Sequence, residues 1–132
     1  MAAHILIIDD DEDDRDLLSI AVHELDPKIH CAMARNGQEA LDTLQTLKFP
    51  RPQLIFLDLN MSRMNGVQFI QEMKKDRVLQ DIPVIVYTTS KLKEDAEKML
   101  SLGASHVLTK PTSFKELCRN VRDIFEKEMI KL

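Results

Sequence analysis

Two hydrophobic patterns alternate along the chain. Unbroken apolar runs at Ile5–Ile8, Leu54–Leu57 and Val84–Tyr87 carry no polar alternation and read as strands buried on both faces. Between them, apolar residues recur at three- and four-residue spacing, as in helices that cover a sheet. The first strand spans His4 to Ile8. After the acidic stretch Asp9–Asp14 comes a helix with Leu17, Leu18, Ala21, Val22 and Leu25 on its apolar face, stopped by Pro27. Ile29 to Ala34 is a short, weaker strand. Asn36 caps the next helix, with Glu39 three residues on and Ala40, Leu41, Leu44 and Leu47 inward. Pro50 and Pro52 bar further helix and lead into the central strand at Leu54.

In the second half a helix starts near Val67 and buries Ile70 and Met73. Asp81 and Pro83 frame the fourth strand, Pro83 being tolerated at a strand's first position. Lys91 to Leu102 reads as a helix with Leu92, Ala96, Met99 and Leu100 inward and Gly103 as its C-terminal cap. Ser105 to Thr109 is the last strand. Ser113 and Glu116 have capping-box spacing and open the final helix, whose stripe is Phe114, Leu117, Cys118, Val121, Ile124 and Phe125. Five strands alternating with five helices imply an α/β fold: a parallel sheet covered on both faces and joined by right-handed crossovers.

Open sheets of this kind hold their ligands at the carboxyl ends of the strands. Here those ends carry Asp9-Asp10-Asp11, Asp58, Thr88-Thr89-Ser90 and Lys110-Pro111. Parallel neighbours bring an acid pair, a lone carboxylate, a hydroxyl and an ammonium to one edge.

Composition narrows the chemistry. A chain of 132 residues is expected to form one domain, large enough for a core without staples. Its net charge of −4 argues against nucleic acid as a partner. Cys31 and Cys118 form no metal or redox motif and read as small core thiols in a reducing compartment. His4, His23, His30 and His106 lack metal-ligand spacing. The N-terminus enters a strand at once and no apolar run is long enough to span a bilayer, so the expectation is a cytoplasmic protein with no membrane partner.

Read as a calcium loop from Asp9, the acidic run puts Asp14 at the glycine position and Ile20 at the bidentate glutamate, which excludes that reading. Carboxylates converging from adjacent strands repel by roughly 4 kcal/mol per pair at 4 Å and an effective dielectric near 20. Magnesium (Mg2+) removes that repulsion and typically takes one or two carboxylates plus waters and phosphate oxygens. A carboxylate placed like Asp58 can act as a nucleophile toward a phosphoryl group. Such transfer needs positioning and charge neutralisation, which Lys110 and the Thr88 hydroxyl can supply beside the metal.

Asp9-Asp10, Asp58, Thr88 and Lys110-Pro111, with Asp58-Leu59-Asn60-Met61-Ser62-Arg63-Met64-Asn65-Gly66 and Gly103-Ala104, resemble in order and spacing the two-component response-regulator receiver domain. The resemblance covers essentially the whole chain. It implies a flavodoxin-like (βα)5 fold of strand order 2-1-3-4-5, a stand-alone receiver over residues 1–132 with no output domain, and phosphorylation of Asp58 by a histidine kinase or histidine phosphotransfer protein. It further implies magnesium, or manganese (Mn2+), held by the Asp10 and Asp58 side chains and the Asn60 carbonyl, with Asp9 orienting the site. Thr88 becomes the switch hydroxyl, Lys110 the phosphate contact, and the bond before Pro111 a cis peptide. Asn60 and Ser90 are implied to tune loss of the phosphoryl group.

The chain departs from the family at Ser62, where proline is usual, at Leu59, which offers no Trp beside the acceptor, and at Val107, where a switch aromatic often stands. A switch is therefore expected in the loop from Thr88 to Lys93 and the helix after it. A downstream protein is expected on the last two helices and last strand, around Leu92, Lys93, Val107, Lys115, Arg119 and Arg122. The receiver reading makes the chain a non-enzyme whose only chemistry is on itself. Two readings compete: a haloacid-dehalogenase-type phosphatase, weakened by Asn60 in place of its second acid, and a degenerate receiver acting only as a binding module.

Overall fold

Five short apolar strands stack side by side in the order β2-β1-β3-β4-β5, every pair parallel. The computed structural model describes residues 3–46, 49–61, 63–128 and 130. In chain order the elements are β1 (His4–Ile8), α1 (Glu12–Leu25), β2 (His30–Ala34), α2 (Gly37–Leu44), β3 (Leu54–Leu57), α3 (Gly66–Lys75), β4 (Val84–Thr88), α4 (Lys93–Ser101), β5 (His106–Thr109) and α5 (Phe114–Lys127). The expected fold and strand order are found. Two sequence readings, the inward Leu47 and the loop residue Ser62, lie outside the described residues.

Strand alternation builds two cores, one on each face. Leu6, Ile8, Ile55, Leu57, Val84 and Val86 meet α2, α3 and α4 through Leu41, Phe69, Ile70, Met73 and Met99. Ile5, Ile7, Leu54, Phe56, Ile85 and Tyr87 meet α1 and α5 through Leu18, Val22, Leu117, Val121 and Phe125. Strands β1, β3 and β4 are buried on both faces, which is why their sequences show no polar alternation.

Helix starts follow from local side-chain chemistry. Asp11, Asn36, Asn65 and Ser113 each accept a hydrogen bond from the backbone N–H three residues on, each worth about 1 kcal/mol. Among the described residues only Asn65–Gln68 closes a full capping box, with Gln68 accepting in return from the Asn65 N–H. Glu39 instead turns to the Arg35 side chain and backbone. Leu92 gives α4 no side-chain cap, so this helix begins at Lys93 rather than Lys91.

Four residues expected inward are exposed: Leu17, Leu92, Leu100 and Phe114, with Leu92 at 63%. Leu17 lies one position off the Leu18–Ala21–Val22 stripe that meets the sheet. Leu92 and Phe114 sit at helix starts, beyond the sheet's cover. Among the described residues, no helix is long and apolar enough to cross a membrane.

Gly103 ends α4 with φ +113°, a conformation side chains rarely adopt, and a Cβ there would press on the Lys74 side chain. Gly103→Ala should therefore lower unfolding stability by about 1 kcal/mol or more, read as a reduced urea midpoint at unchanged slope.

Candidate functional site

Register lines up the functional strand ends. Ile8 lies opposite Leu57, and the Asp58 N–H donates to the Ile8 carbonyl at 2.9 Å, so Asp9 and Asp58 leave adjacent strands together. Thr88 lies opposite Thr109, and the Lys110 N–H donates to the Thr88 carbonyl at 2.7 Å. The expected juxtaposition is thus present for Asp9, Asp10, Asp58 and Lys110. One carboxylate oxygen from each of the three acids lies within 4.8 Å of the others. The Lys110 ammonium reaches all but Asp10: its Nζ is 3.0 Å from Asp9 Oδ2 and 3.6 Å from Asp58 Oδ1.

Burial makes this crowding costly. Asp9 is 3% exposed and Asp58 6%, whereas Asp10 faces solvent. Burial raises the Asp58 pKa, and the Asp9 charge raises it further. Lys110 and the Asn60 backbone N–H pull the other way, and the carboxyl settles at about 6. At Lys110 burial favours the neutral amine, but the hydrogen bonds it donates to Asp14 and Asp9 and the nearby acid charges outweigh it, so the ammonium is held above the ordinary lysine value. An oxygen-only set of clustered carboxylates suits a hard divalent cation such as magnesium or manganese, and softer nitrogen or sulfur ligands are absent from the cluster.

The loops shape the rest of the edge. Past β3 the chain turns through Met64 at φ 57°, a left-handed conformation rare for a non-glycine residue, and the Gly37 N–H docks on the Met64 carbonyl at 3.1 Å. A side chain at Gly37 would collide with that carbonyl, so α2 and the loop can meet only over glycine. Asn60 is exposed, two residues past Asp58. The Thr88 hydroxyl, 2% exposed, accepts the Ser90 N–H at 3.1 Å. Ser90 in turn donates through Oγ to Asp95 at 2.5 Å and accepts the Leu92 N–H at 3.2 Å. Val107 is partly buried against the α2–α4 core. The peptide before Pro111 is trans, contrary to expectation: no cis bond occurs among the described residues, and the ordinary trans preference of about 0.5–1 kcal/mol holds here.

Two site residues escape sequence reading. Asp14, on the first turn of α1, accepts from Lys110 Nζ at 2.7 Å, and the Tyr87 ring lies under the same nitrogen at 5.3 Å. Tyr87 pairs in register with Leu108, so Lys110, two residues on, belongs to the same face. That signal exists in strand alternation, but only once the register is known.

Residues 5–122 match the family model of the response regulator receiver domain. Response regulator Rcp1 of Synechocystis is 32% identical over 124 residues, covering 91% of this chain and 84% of Rcp1. The chain also matches the phosphate regulon transcriptional regulatory protein PhoB of Escherichia coli at 28% identity but spans only about half of it, 53%. Among solved structures, the phosphorylated cyanobacterial phytochrome response regulator RcpA superposes with a TM-score of 0.88 at 28% identity, over 98% of this chain and 96% of RcpA. The Mn(2+)-bound form of Rcp1 gives 0.83 at 29% identity, with the same coverages.

Asp58 sets a pH dependence in metal-free protein. The unfolded chain ionises it near the usual value of about 4, whereas the folded chain keeps the proton to about 6. Between those values the unfolded state alone gains from ionisation, so this group's contribution to stability falls by roughly 3 kcal/mol as pH rises, then levels off. Asp58→Asn should lack that fall and be the more stable protein at neutral pH in chelator. Urea unfolding of both proteins at stepped pH reads the difference directly.

Proposed function

Because the chain belongs to the response regulator receiver family, whose members bind a divalent metal and are phosphorylated by histidine kinases, we propose that it is a stand-alone receiver that accepts a phosphoryl group on Asp58. One observation carries this reading: three carboxylates and the Lys110 ammonium converge at the carboxyl edge of the sheet, with Nζ 3.6 Å from Asp58. Asp58 Oδ attacks the phosphorus of a phosphohistidine. The phosphorus–nitrogen bond breaks, its electron pair leaves with the imidazole, and an aspartyl phosphate remains.

Each neighbour has a separate task. The Asp9, Asp10 and Asp58 carboxylates and the Asn60 carbonyl would hold magnesium or manganese, which when bound supplies positive charge against the phosphoryl oxygens. Lys110 supplies a fixed cation on the other side, and Thr88 offers a hydroxyl proton while its oxygen still accepts from Ser90. The donor is a histidine kinase or phosphotransfer protein. Output goes to a downstream protein through α4, β5 and α5, with Val107 providing no swinging aromatic. The chain is then no turnover enzyme, its chemistry ending on its own side chain.

Intact mass after incubation with magnesium and acetyl phosphate tests the acceptor. A single phosphoryl adduct is expected on the parent and none on Asp58→Asn. Turnover of p-nitrophenyl phosphate would instead favour the phosphatase reading, and an unmodified parent the degenerate module. Magnesium should also raise the melting temperature of the parent by mass action and raise that of Asp10→Asn much less, as scanning calorimetry would show.

A further inference from the structure

Lys110 is held by a carboxylate that no acceptor-site motif contains. Its nearest partner is neither Asp9 nor Asp58 but Asp14 Oδ2, at 2.7 Å against 3.0 and 3.6 Å. Coulomb energy falls as the inverse of distance, so at equal dielectric the pairing with Asp14 is about a third stronger than that with Asp58. Asp14 is also fixed in place. Its N–H is bound by the Asp11 cap, and Arg15 Nη1 donates to the Asp9 carbonyl at 2.7 Å, pinning the first turn of α1 to the end of β1. Beneath the ammonium lies the Tyr87 ring, itself buried. The Lys110 side chain is only 12% exposed, so the ammonium has few other places to go.

We propose that Asp14 is a positioning residue that holds the Lys110 ammonium back from Asp58 and so leaves the Asp58 carboxylate open to a divalent cation. An ammonium and a divalent cation compete for the same oxygens of Asp58. Freed from Asp14, Lys110 closes on Asp58 and Asp9 and neutralises them in the cation's place. The cost appears as weaker metal binding and as a higher metal requirement for any phosphorylation of Asp58. Only that second consequence rests on the proposed function.

The probe is magnesium chloride titrated into the full chain, with Tyr87 emission as the signal. The chain has no Trp and one Tyr, so that signal comes from beside Lys110 alone. Asp14→Asn should weaken magnesium binding about fivefold, and Asp14→Glu should recover most of the loss. In a Lys110→Met background Asp14→Asn should have no further effect, because its action runs through the ammonium. With acetyl phosphate, the Asp14→Asn deficit in phosphorylation rate should narrow as magnesium rises.

Equal magnesium affinity in parent and Asp14→Asn would overturn the proposal. So would a loss that persists in full in the Lys110→Met background, which would make Asp14 a through-space charge only. If Lys110→Met does not fold, nitrogen-15 lysine NMR replaces it: Asp14→Asn should shift the Lys110 ammonium resonance and speed its proton exchange, and an unchanged resonance would reject the tether. A parent that binds magnesium but takes no phosphoryl group would sink the proposed function while the titration still decides the role of Asp14.

Discussion

Three carboxylates share one ammonium at the edge of this sheet, with a fourth acid, Asp10, beside them, and the rest of the site is arranged around that imbalance. Asp9, Asp10, Asp14 and Asp58 crowd a space in which Lys110 is the bonded cation. Such a cluster does not stabilise a fold. Burial together with the Asp9 charge lifts the Asp58 carboxyl to about 6, and the protein tolerates this because the two apolar cores beneath the edge are continuous across β1, β3 and β4. Stability is concentrated in the strands, and electrostatic stress is confined to their ends. A binding site for cations and phosphoryl groups needs that separation, since a charge deficit relieved inside the protein would leave nothing for a ligand to neutralise.

The two faces of the sheet divide the work. Carried one step past the strands, alternation assigns Asp9, Asp58, Tyr87 and Lys110 to the α1–α5 face, with Ile5, Ile7, Phe56 and Leu108. Thr88 continues the row of Val84 and Val86 on the other face, toward α2, α3 and α4. Charge is therefore handled on one side, where α1 brings Asp14 to Lys110. The hydroxyl and its loop lie on the side of α4, the helix that the proposed output surface includes.

This division explains what could be read in the sequence. Strands such as Leu54–Leu57 announce themselves because full burial removes polar alternation, and the acids and Lys110 stand out because each directly follows such a run. Asp14 did not stand out. Among the six acidic residues from Asp9 to Asp14 its sequence position looks like solvated surface, and only the first turn of α1, fixed by the Asp11 cap, brings it over the strand ends. The exposure of Leu17, Leu92, Leu100 and Phe114 was hidden for a related reason: apolar spacing marks a helix but does not say how wide a stripe the sheet will cover. The cis peptide expected before Pro111 came from the family resemblance rather than from any spacing, and the ordinary trans preference prevails there.

Helix α4 starts at Lys93 after an N-cap residue, Leu92, that offers no side-chain cap, and the hydroxyl of Ser90 stands in by accepting the Leu92 N–H and donating to Asp95 on the first turn. The Ser90 N–H is meanwhile bound to the Thr88 hydroxyl, and the Ser90 carbonyl accepts from Thr109 at 3.3 Å. One residue thus joins the strand-end hydroxyl, the last strand and the start of α4. The Thr88 hydroxyl is thereby connected to the one helix start among the described residues that has no side-chain cap at its own N-cap position. Each of these hydrogen bonds contributes about 1 kcal/mol, and because the start of α4 borrows its cap from Ser90, its stability depends on where that one serine is held.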